Sequence, residues 1–285
     1  MERFTAEVDG LVFDGVAEGP AEGRAVLLLH GYPQTSWSWH RVLEPLARAG
    51  CRALAFDQRG YSPGARPVAV ARYHVDHLVD DVLGVAEALG IEAFDLIGHD
   101  WGAAVAWLAA ARHPDRVRTL TAVSVPHPAA FGRALRDDPD QGSRSSYLGV
   151  YRQPGRAERA LLGEDGTGGG LRKMFAVTGL GPGAPEVDVF VAAMTEPGAL
   201  TAALNWYRAM DPAAFAGVPA VRVPTLYVWS TGDIAIGRAA AEASAEWVSG
   251  PYRFAVLDGI SHWIPESAAD ALADVLLEHL AAHAP

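Results

Sequence analysis

Short apolar runs alternate with helical patterns through the first 125 residues of this chain. Four of these runs have the length of strands and are apolar at nearly every position: residues 25–29, 53–56, 93–97 and 120–125. Continuous rather than alternating apolarity is typical of strands that are buried on both faces of a parallel sheet. Between them, residues 73–89 carry a helical apolar stripe. The alternation predicts an α/β fold built on a doubly wound, mostly parallel sheet.

The middle of the chain departs from this rhythm. Residues 129–213 contain no convincing strand and are rich in Arg, Gly and Pro, and two more strand-like runs, residues 225–229 and 254–257, follow them. We therefore expect a helical cap over residues 129–213, inserted into a core made of residues 1–128 and 214–285. In the glycine-rich stretch at residues 163–170, no lysine directly follows the last glycine and no strand precedes the first. This pattern predicts a flexible connection rather than a phosphate-binding loop.

The charge balance restricts the partners of the protein. Lys and Arg number 23 against 34 Asp and Glu, a net charge of −11, which argues against nucleic acid or an anionic membrane as partner. No apolar run approaches the roughly 18–20 residues that span a bilayer. The first residues lack the pattern of a secretory signal. The single cysteine, Cys51, excludes an internal disulfide. We expect a cytoplasmic protein.

A Gly-His-Asp-Trp-Gly segment at residues 98–102 lies where a predicted strand turns into a predicted helix. The two glycines permit a tight turn that pushes the middle residue outwards, because side chains at their positions would collide with neighbouring backbone. A helix cap would also explain an aspartate, but a cap does not need both glycines. A carboxylate at this tip displaces at a saturated carbon and forms an alkyl ester of the protein. Asp100 is thus the predicted nucleophile, and the chemistry narrows to opening an epoxide or expelling a halide.

Further polar residues follow the later predicted strands, at the edge where ligands bind in doubly wound sheets. His262 comes after the last strand and is the predicted general base that takes a proton from water. Asp233, in Trp-Ser-Thr-Gly-Asp, is predicted to orient that imidazole, with Asp258 and Glu266 as rivals. Since no Cys, His and carboxylate cluster has ligand spacing, we expect neither a metal ion nor a cofactor.

Two backbone N–H groups are predicted to form an oxyanion hole. One belongs to Trp101, which follows the nucleophile, and the other to Tyr32, in the loop after the first apolar run. Pro33 shapes that loop but has no N–H to donate. The Asp-Gln-Arg-Gly segment nearby is assigned no catalytic part, and we expect a contact between Asp57 and Arg59 to fix its turn.

Several motifs together resemble the soluble epoxide hydrolases of the α/β-hydrolase superfamily, over essentially the whole chain. They are His-Gly-Tyr-Pro at residues 30–33, Asp-Gln-Arg-Gly-Tyr-Ser-Pro at residues 57–63, the aspartate turn, and the late Asp and His. The resemblance implies the α/β-hydrolase fold and conversion of a small apolar epoxide and water to a vicinal diol. It also implies two cap tyrosines that bind the epoxide oxygen: Tyr207, in Asn-Trp-Tyr-Arg, and Tyr147, with Tyr151 as runner-up. A phenol keeps its proton at neutral pH and can stabilise an alkoxide.

Two alternatives are kept. Haloalkane dehalogenases share the aspartate turn, but they typically place Asn where this chain has Tyr32, and the indoles of Trp101 and Trp206 would have to hold the halide. We expect these two indoles, Trp263 and Tyr151 to line an apolar substrate pocket instead. The other alternative is a catalytically silent scaffold that only binds a ligand. The identity of the epoxide, the carbon attacked and the formation of a homodimer stay open.

Overall fold

The computed structural model describes residues 1–284. Its strands, in chain order, are β1 (Glu2–Val8), β2 (Leu11–Glu18), β3 (Arg24–Leu29), β4 (Cys51–Phe56), β5 (Phe94–His99), β6 (Val117–Val123), β7 (Thr225–Gly232) and β8 (Tyr252–Ser261). They form one eight-stranded sheet in the order β1-β2-β4-β3-β5-β6-β7-β8. The pairs β1–β2 and β2–β4 are antiparallel and the remaining pairs are parallel. The predicted fold class is confirmed.

Helices cover both faces of this sheet, and a further run of helices lies between two of its strands, β6 and β7. The core helices are α1 (His40–Arg48), α2 (Val75–Ala88), α3 (Trp101–Arg112), α12 (Arg238–Ala243), α13 (Ile264–Ser267) and α14 (Ala269–Ala282). Between β6 and β7 the structure has α4 (Pro128–Asp137), α5 (Pro139–Arg144), α6 (Leu148–Tyr151), α7 (Arg156–Leu162), α8 (Gly169–Val177), α9 (Pro185–Thr195), α10 (Ala199–Arg208) and α11 (Pro212–Ala216). The segment for which the sequence predicts a helical cap is thus built from helices.

The central position of β3 in the sheet explains why its sequence is apolar from residue 25 to residue 29. Val26 and Leu28 pack on one side of the sheet, in the cluster that contains the apolar residues of α1 and α14. Leu27 and Leu29 pack on the other side, with the apolar residues of α2 and α3. Because side chains alternate between the two faces of a strand, a strand covered by helices on both faces needs apolar residues at every position.

The structure has an N-terminal hairpin that the sequence analysis did not predict. β1 and β2 pair in antiparallel register from Glu2–Ala17 to Val8–Leu11. Asp9 and Gly10 form the turn, both with positive φ, at 50° and 72°. This is the backbone of a two-residue hairpin, for which Asp-Gly is a favoured dipeptide. The hairpin extends the parallel sheet with two antiparallel strands at one edge.

The prediction that Asp57 contacts Arg59 is wrong. The Arg59 guanidinium binds both carboxylate oxygens of Asp81, at 2.7 and 2.6 Å, and both side chains are buried. Asp57 instead accepts a hydrogen bond from the Ser36 N–H at 2.6 Å. Helix α2 places Asp81 on its buried side, so the carboxylate that meets this arginine comes from another element and not from the neighbouring turn residue.

No single helix within residues 1–284 is long and apolar enough to cross a membrane. Helices α9 and α10 pass that test only when they are taken together, and they are bent by 90° at the break between them.

Candidate active site

The predicted nucleophile occupies a strained turn between β5 and α3. Asp100 has φ of 51° and ψ of −120°, in a region that residues other than glycine rarely adopt, and its side chain does not cap α3. A Cβ at Gly98 would lie 2.2 Å from the carbonyl oxygen of Gly102, and one at Gly102 would lie 2.3 Å from the carbonyl oxygen of Leu29. Both glycines are therefore required by close backbone approach, and the aspartate has no capping function.

The two oxygens of the Asp100 carboxylate have different partners. Oδ1 accepts a hydrogen bond from the Tyr32 N–H at 2.7 Å, while Oδ2 lies 3.6 Å from Nε2 of His262. The Trp101 N–H, the second predicted donor, belongs to the first residue of α3. Burial alone would raise the pKa of Asp100, but the hydrogen bond and charge of His262, with the Tyr32 amide, lower it below its usual value. The carboxylate is ionised at neutral pH.

The imidazole of His262 is oriented by Asp233 and not by either rival. Nδ1 lies 3.0 Å from Oδ2 of Asp233, and Oδ1 of the same carboxylate accepts hydrogen bonds from two backbone N–H groups, of Ala235 and Ile236. The rival Asp258 instead accepts from the hydroxyl of Thr231. The chain therefore brings together the three side chains that the sequence singled out, each at the carboxyl end of a different parallel strand.

Two carboxylates determine the protonation of His262. Burial would lower the pKa of the imidazole, but the charges and hydrogen bonds of Asp233 and Asp100 raise it to about 10. In the free protein at neutral pH the ring is thus a cation between two anions. Loss of either negative charge would lower this pKa, because each carboxylate favours the charged form of the ring.

A buried polar cluster beneath the site was missed in the sequence. The Gln34 amide accepts a hydrogen bond from the Gly31 N–H at 2.8 Å and donates one to Oε1 of Glu266 at 2.6 Å. Its oxygen also lies 2.9 Å from Nδ1 of His99, whose Nε2 lies 2.9 Å from the His262 carbonyl. The cluster joins the Tyr32 loop, the aspartate turn and the His262 loop. Burial raises the pKa of Glu266 to about 8.

Ser124 was also missed, although its position carried a signal. It is the first residue after β6, at the same edge of the sheet as Asp100 and Asp233. Its hydroxyl lies 2.7 Å from Oδ2 of Asp233 and 2.9 Å from Nδ1 of His262. The sequence prediction extended this strand to residue 125, so that Ser124 fell inside a strand instead of at the edge where polar residues gather.

Asp100 opens into a cavity of about 570 Å³ between the core and the cap. Trp101 and the predicted cap tyrosines Tyr147 and Tyr207 lie on its wall. Neither phenol hydrogen-bonds to another residue in the described chain, and burial raises both pKa values well above 10. The runner-up Tyr151 donates its hydroxyl to the sulfur of Met174 at 3.3 Å. Of the two candidates for the first cap tyrosine, Tyr147 therefore has the free hydroxyl.

Three of the residues expected on the pocket wall do not line this cavity: Trp206, Trp263 and Tyr151. The indole N–H of Trp206 donates to the carbonyl of Arg59 at 2.8 Å, and that of Trp263 donates to the hydroxyl of Thr178 at 2.9 Å. Each polar end is thus used in packing between elements, which turns the ring away from the cavity. Across residues 1–284, no cluster of three or more His, Cys, Asp or Glu could hold a metal ion.

Comparisons with known proteins identify the family of the chain. The family described as alpha/beta hydrolase fold matches residues 24–269. The chain is 32% identical to the AB hydrolase superfamily protein YfhM of Bacillus subtilis, over 95% of each chain. It is 33% identical to epoxide hydrolase A of Mycobacterium tuberculosis, over 96% of this chain and 95% of that one. The crystal structure of epoxide hydrolase A from Mycobacterium thermoresistibile superposes with a TM-score of 0.84 at 29% identity, over 98% of both chains. The chain therefore belongs to the epoxide hydrolases of the α/β-hydrolase fold family.

Proposed function

We propose that the protein hydrolyses an apolar epoxide to a vicinal diol in two stages, through an ester on Asp100. The observation that carries this proposal is the asymmetry of the Asp100 carboxylate. One oxygen is held by a backbone N–H, the other is directed at an imidazole, and both share a cavity with two free phenols. A nucleophile, a base and donors for a departing oxygen are the groups that ring opening and ester hydrolysis need.

In the first stage, Oδ2 of Asp100 attacks the less hindered epoxide carbon from the side opposite the ring oxygen. The bond between that carbon and the oxygen breaks, and the phenols of Tyr147 and Tyr207 stabilise the resulting alkoxide by hydrogen bonds. Their raised pKa values support this role, since a phenol that stays protonated can always donate.

In the second stage, water attacks the ester carbonyl and His262 takes its proton. Formation of the ester removes the negative charge of Asp100, one of the two charges that raise the pKa of His262. The imidazolium then releases its proton, and the alkoxide from the first stage takes up this proton to become a hydroxyl. The neutral imidazole can act as a base, so the first stage prepares the second. Oδ1, now the carbonyl oxygen, becomes the oxyanion beside the Tyr32 and Trp101 amides. The bond between Cγ and Oδ2 then breaks, and Oδ2 leaves with the diol after taking the remaining proton of the attacking water. The water oxygen completes the restored carboxylate, and His262 is again an imidazolium.

The test is the intact mass of the His262→Gln protein after separate incubation with epoxides and with haloalkanes. We expect the ester to form and persist, with a mass gain equal to the whole epoxide and no adduct from haloalkanes. Asp100→Asn is the matched control and should gain no mass. A gain equal to the haloalkane minus HX would overturn the proposal in favour of a dehalogenase, and turnover by Asp100→Ala would remove the nucleophile assignment.

The halide-expelling alternative has less support. A departing halide needs two indole or amide N–H donors directed into the cavity, and the N–H of Trp206 is bonded to the Arg59 carbonyl instead. The tyrosine pair, in contrast, offers two free donors on the cavity wall.

A further inference from the structure

Ser124 adopts a backbone conformation that serine rarely adopts. It follows β6 with φ of 69°, and it is fully buried. Its N–H donates to the carbonyl of Val228 at 2.8 Å, and its own carbonyl accepts from the hydroxyl of Tyr227 at 2.6 Å. A glycine would adopt this left-handed conformation without strain. The serine therefore costs free energy at this position, and its hydroxyl is what it adds to the fold.

That hydroxyl lies between the two side chains that activate water in the proposed second stage. Ser124 has one proton to donate, and the anionic oxygen of Asp233 at 2.7 Å is the stronger acceptor. The serine oxygen then accepts from Nδ1–H of His262 at 2.9 Å. The carboxylate of Asp233 completes four hydrogen bonds: two backbone N–H groups on Oδ1, and Ser124 with His262 on Oδ2.

We infer that Ser124 is a positioning residue for the hydrolysis of the Asp100 ester. It fixes the Asp233 carboxylate and the plane of the His262 ring, so that Nε2 faces the ester. The inference rests on the proposed function. In the step itself, a water proton moves to Nε2 while Nδ1 keeps its proton and Ser124 keeps its own. The epoxide-opening stage uses Asp100 and the cap phenols and does not need this contact.

Removal of the Ser124 hydroxyl can change the pKa values of the ionisable groups that surround it. The ionisable groups around it are Tyr227, Asp100, Asp233, His262, His99, Tyr147 and Arg144, the last of which donates from α5 to the Asp233 carbonyl at 2.7 Å. Because the serine oxygen accepts from the imidazolium, its removal disfavours the charged ring. The acid limb of the ester-hydrolysis rate should therefore move to lower pH in a variant without the hydroxyl.

The experiment compares Ser124→Ala and Ser124→Gly with the wild type in single-turnover mixing with an epoxide, following the adduct by rapid-quench mass spectrometry. We expect adduct formation within about threefold of wild type and ester hydrolysis slower by about tenfold in both variants. We also expect the acid limb to shift downwards in both. Ser38→Ala is the matched control, since Ser38 has a buried hydroxyl that contacts no hydrogen-bond partner within the described chain.

The glycine variant separates the hydroxyl from the backbone. If Ser124→Gly hydrolyses the ester at the wild-type rate, or if the acid limb stays in place while both stages slow equally, the inference is overturned. It is also overturned if both variants hydrolyse the ester at the wild-type rate. Failure of the proposed function has a different outcome, because no adduct would then form on His262→Gln or on the wild type.

Discussion

At the scale of single residues, the two free phenols are the groups by which our proposal distinguishes epoxide opening from other uses of an aspartate nucleophile. Tyr147 and Tyr207 line the cavity with Asp100, whereas Tyr151, only one turn along from Tyr147, donates to a methionine sulfur. Three tyrosines in mutual ring contact thus differ in what their hydroxyls can do.

The Tyr147→Phe, Tyr207→Phe double variant should lose about 10²-fold or more in the rate of adduct formation. The reason is that no donor then stabilises the departing oxygen. Adduct formation measured by rapid quench gives the rate. Tyr151→Phe is the control and should stay within about threefold of wild type, because its hydroxyl does not face the cavity. If Tyr151→Phe instead lost the full factor of about 10² in the rate of adduct formation, Tyr151 rather than Tyr147 would be the first cap tyrosine.

At the scale of elements, helix α4 carries a glycine on the cavity wall. A Cβ at Gly132 would meet only the guanidinium of Arg136, at 3.7 Å, so this position faces open space. Glycine inside a helix is less favourable than leucine by about 1 kcal/mol. Its presence keeps part of the cavity free beside Phe131 and Leu135.

Gly132→Leu should leave turnover of styrene oxide within a fewfold of wild type and reduce that of the bulkier trans-stilbene oxide at least tenfold. The melting temperature should hold or rise, because leucine favours the helix. The control is Gly142→Leu, at a position in α5 that also has open space but does not line the cavity. Equal losses on both epoxides would indicate a distorted helix rather than a smaller cavity.

The elements also indicate what the sequence could and could not predict. The central parallel strands, buried on both faces, were visible as unbroken apolar runs, and the glycines around Asp100 marked the turn. The hairpin β1–β2 was missed, although Asp9-Gly10 between alternating residues is its usual signal. Ser124 was missed because the predicted strand extended to residue 125, and Gln34 could not be assigned because only the folded sheet brings its partners together. Too many aromatic residues were predicted to line the cavity, because a sequence does not show which acceptor an indole N–H binds.

At the scale of the whole molecule, the buried carboxyl of Glu266 connects pH to stability. Its second oxygen, Oε2, has no hydrogen-bond partner in the described part of the chain. Burial, with Glu186 nearby, raises its pKa to about 8, while Gln34 and His262 act in the opposite direction. The folded protein therefore keeps a proton that the unfolded chain loses above its ordinary pKa of 4.5.

This linkage fixes the direction in which stability changes with pH. Between about pH 4.5 and 8 the native state binds one proton more at this residue, so its contribution to stability falls as pH rises. In Glu266→Gln the side chain does not titrate, so its contribution to stability does not fall as pH rises. We expect the free energy of unfolding of the variant, relative to wild type, to rise by roughly 3–5 kcal/mol from pH 4.5 to 8. Urea unfolding at several pH values measures it, and parallel curves for the two proteins would contradict the assignment.

The division of the site between sheet and cap has a consequence for how such a catalyst can change. The groups proposed for ester hydrolysis all follow the ends of strands, namely β3, β5, β6, β7 and β8, whereas both phenols belong to the helical segment between β6 and β7. In the proposed mechanism, the donors to the epoxide oxygen and the groups that activate water thus lie in separate stretches of the chain. A library of substitutions confined to residues 129–213 could change which epoxide is opened and would leave the groups proposed for ester hydrolysis unchanged. This segment is therefore the natural unit for redesign.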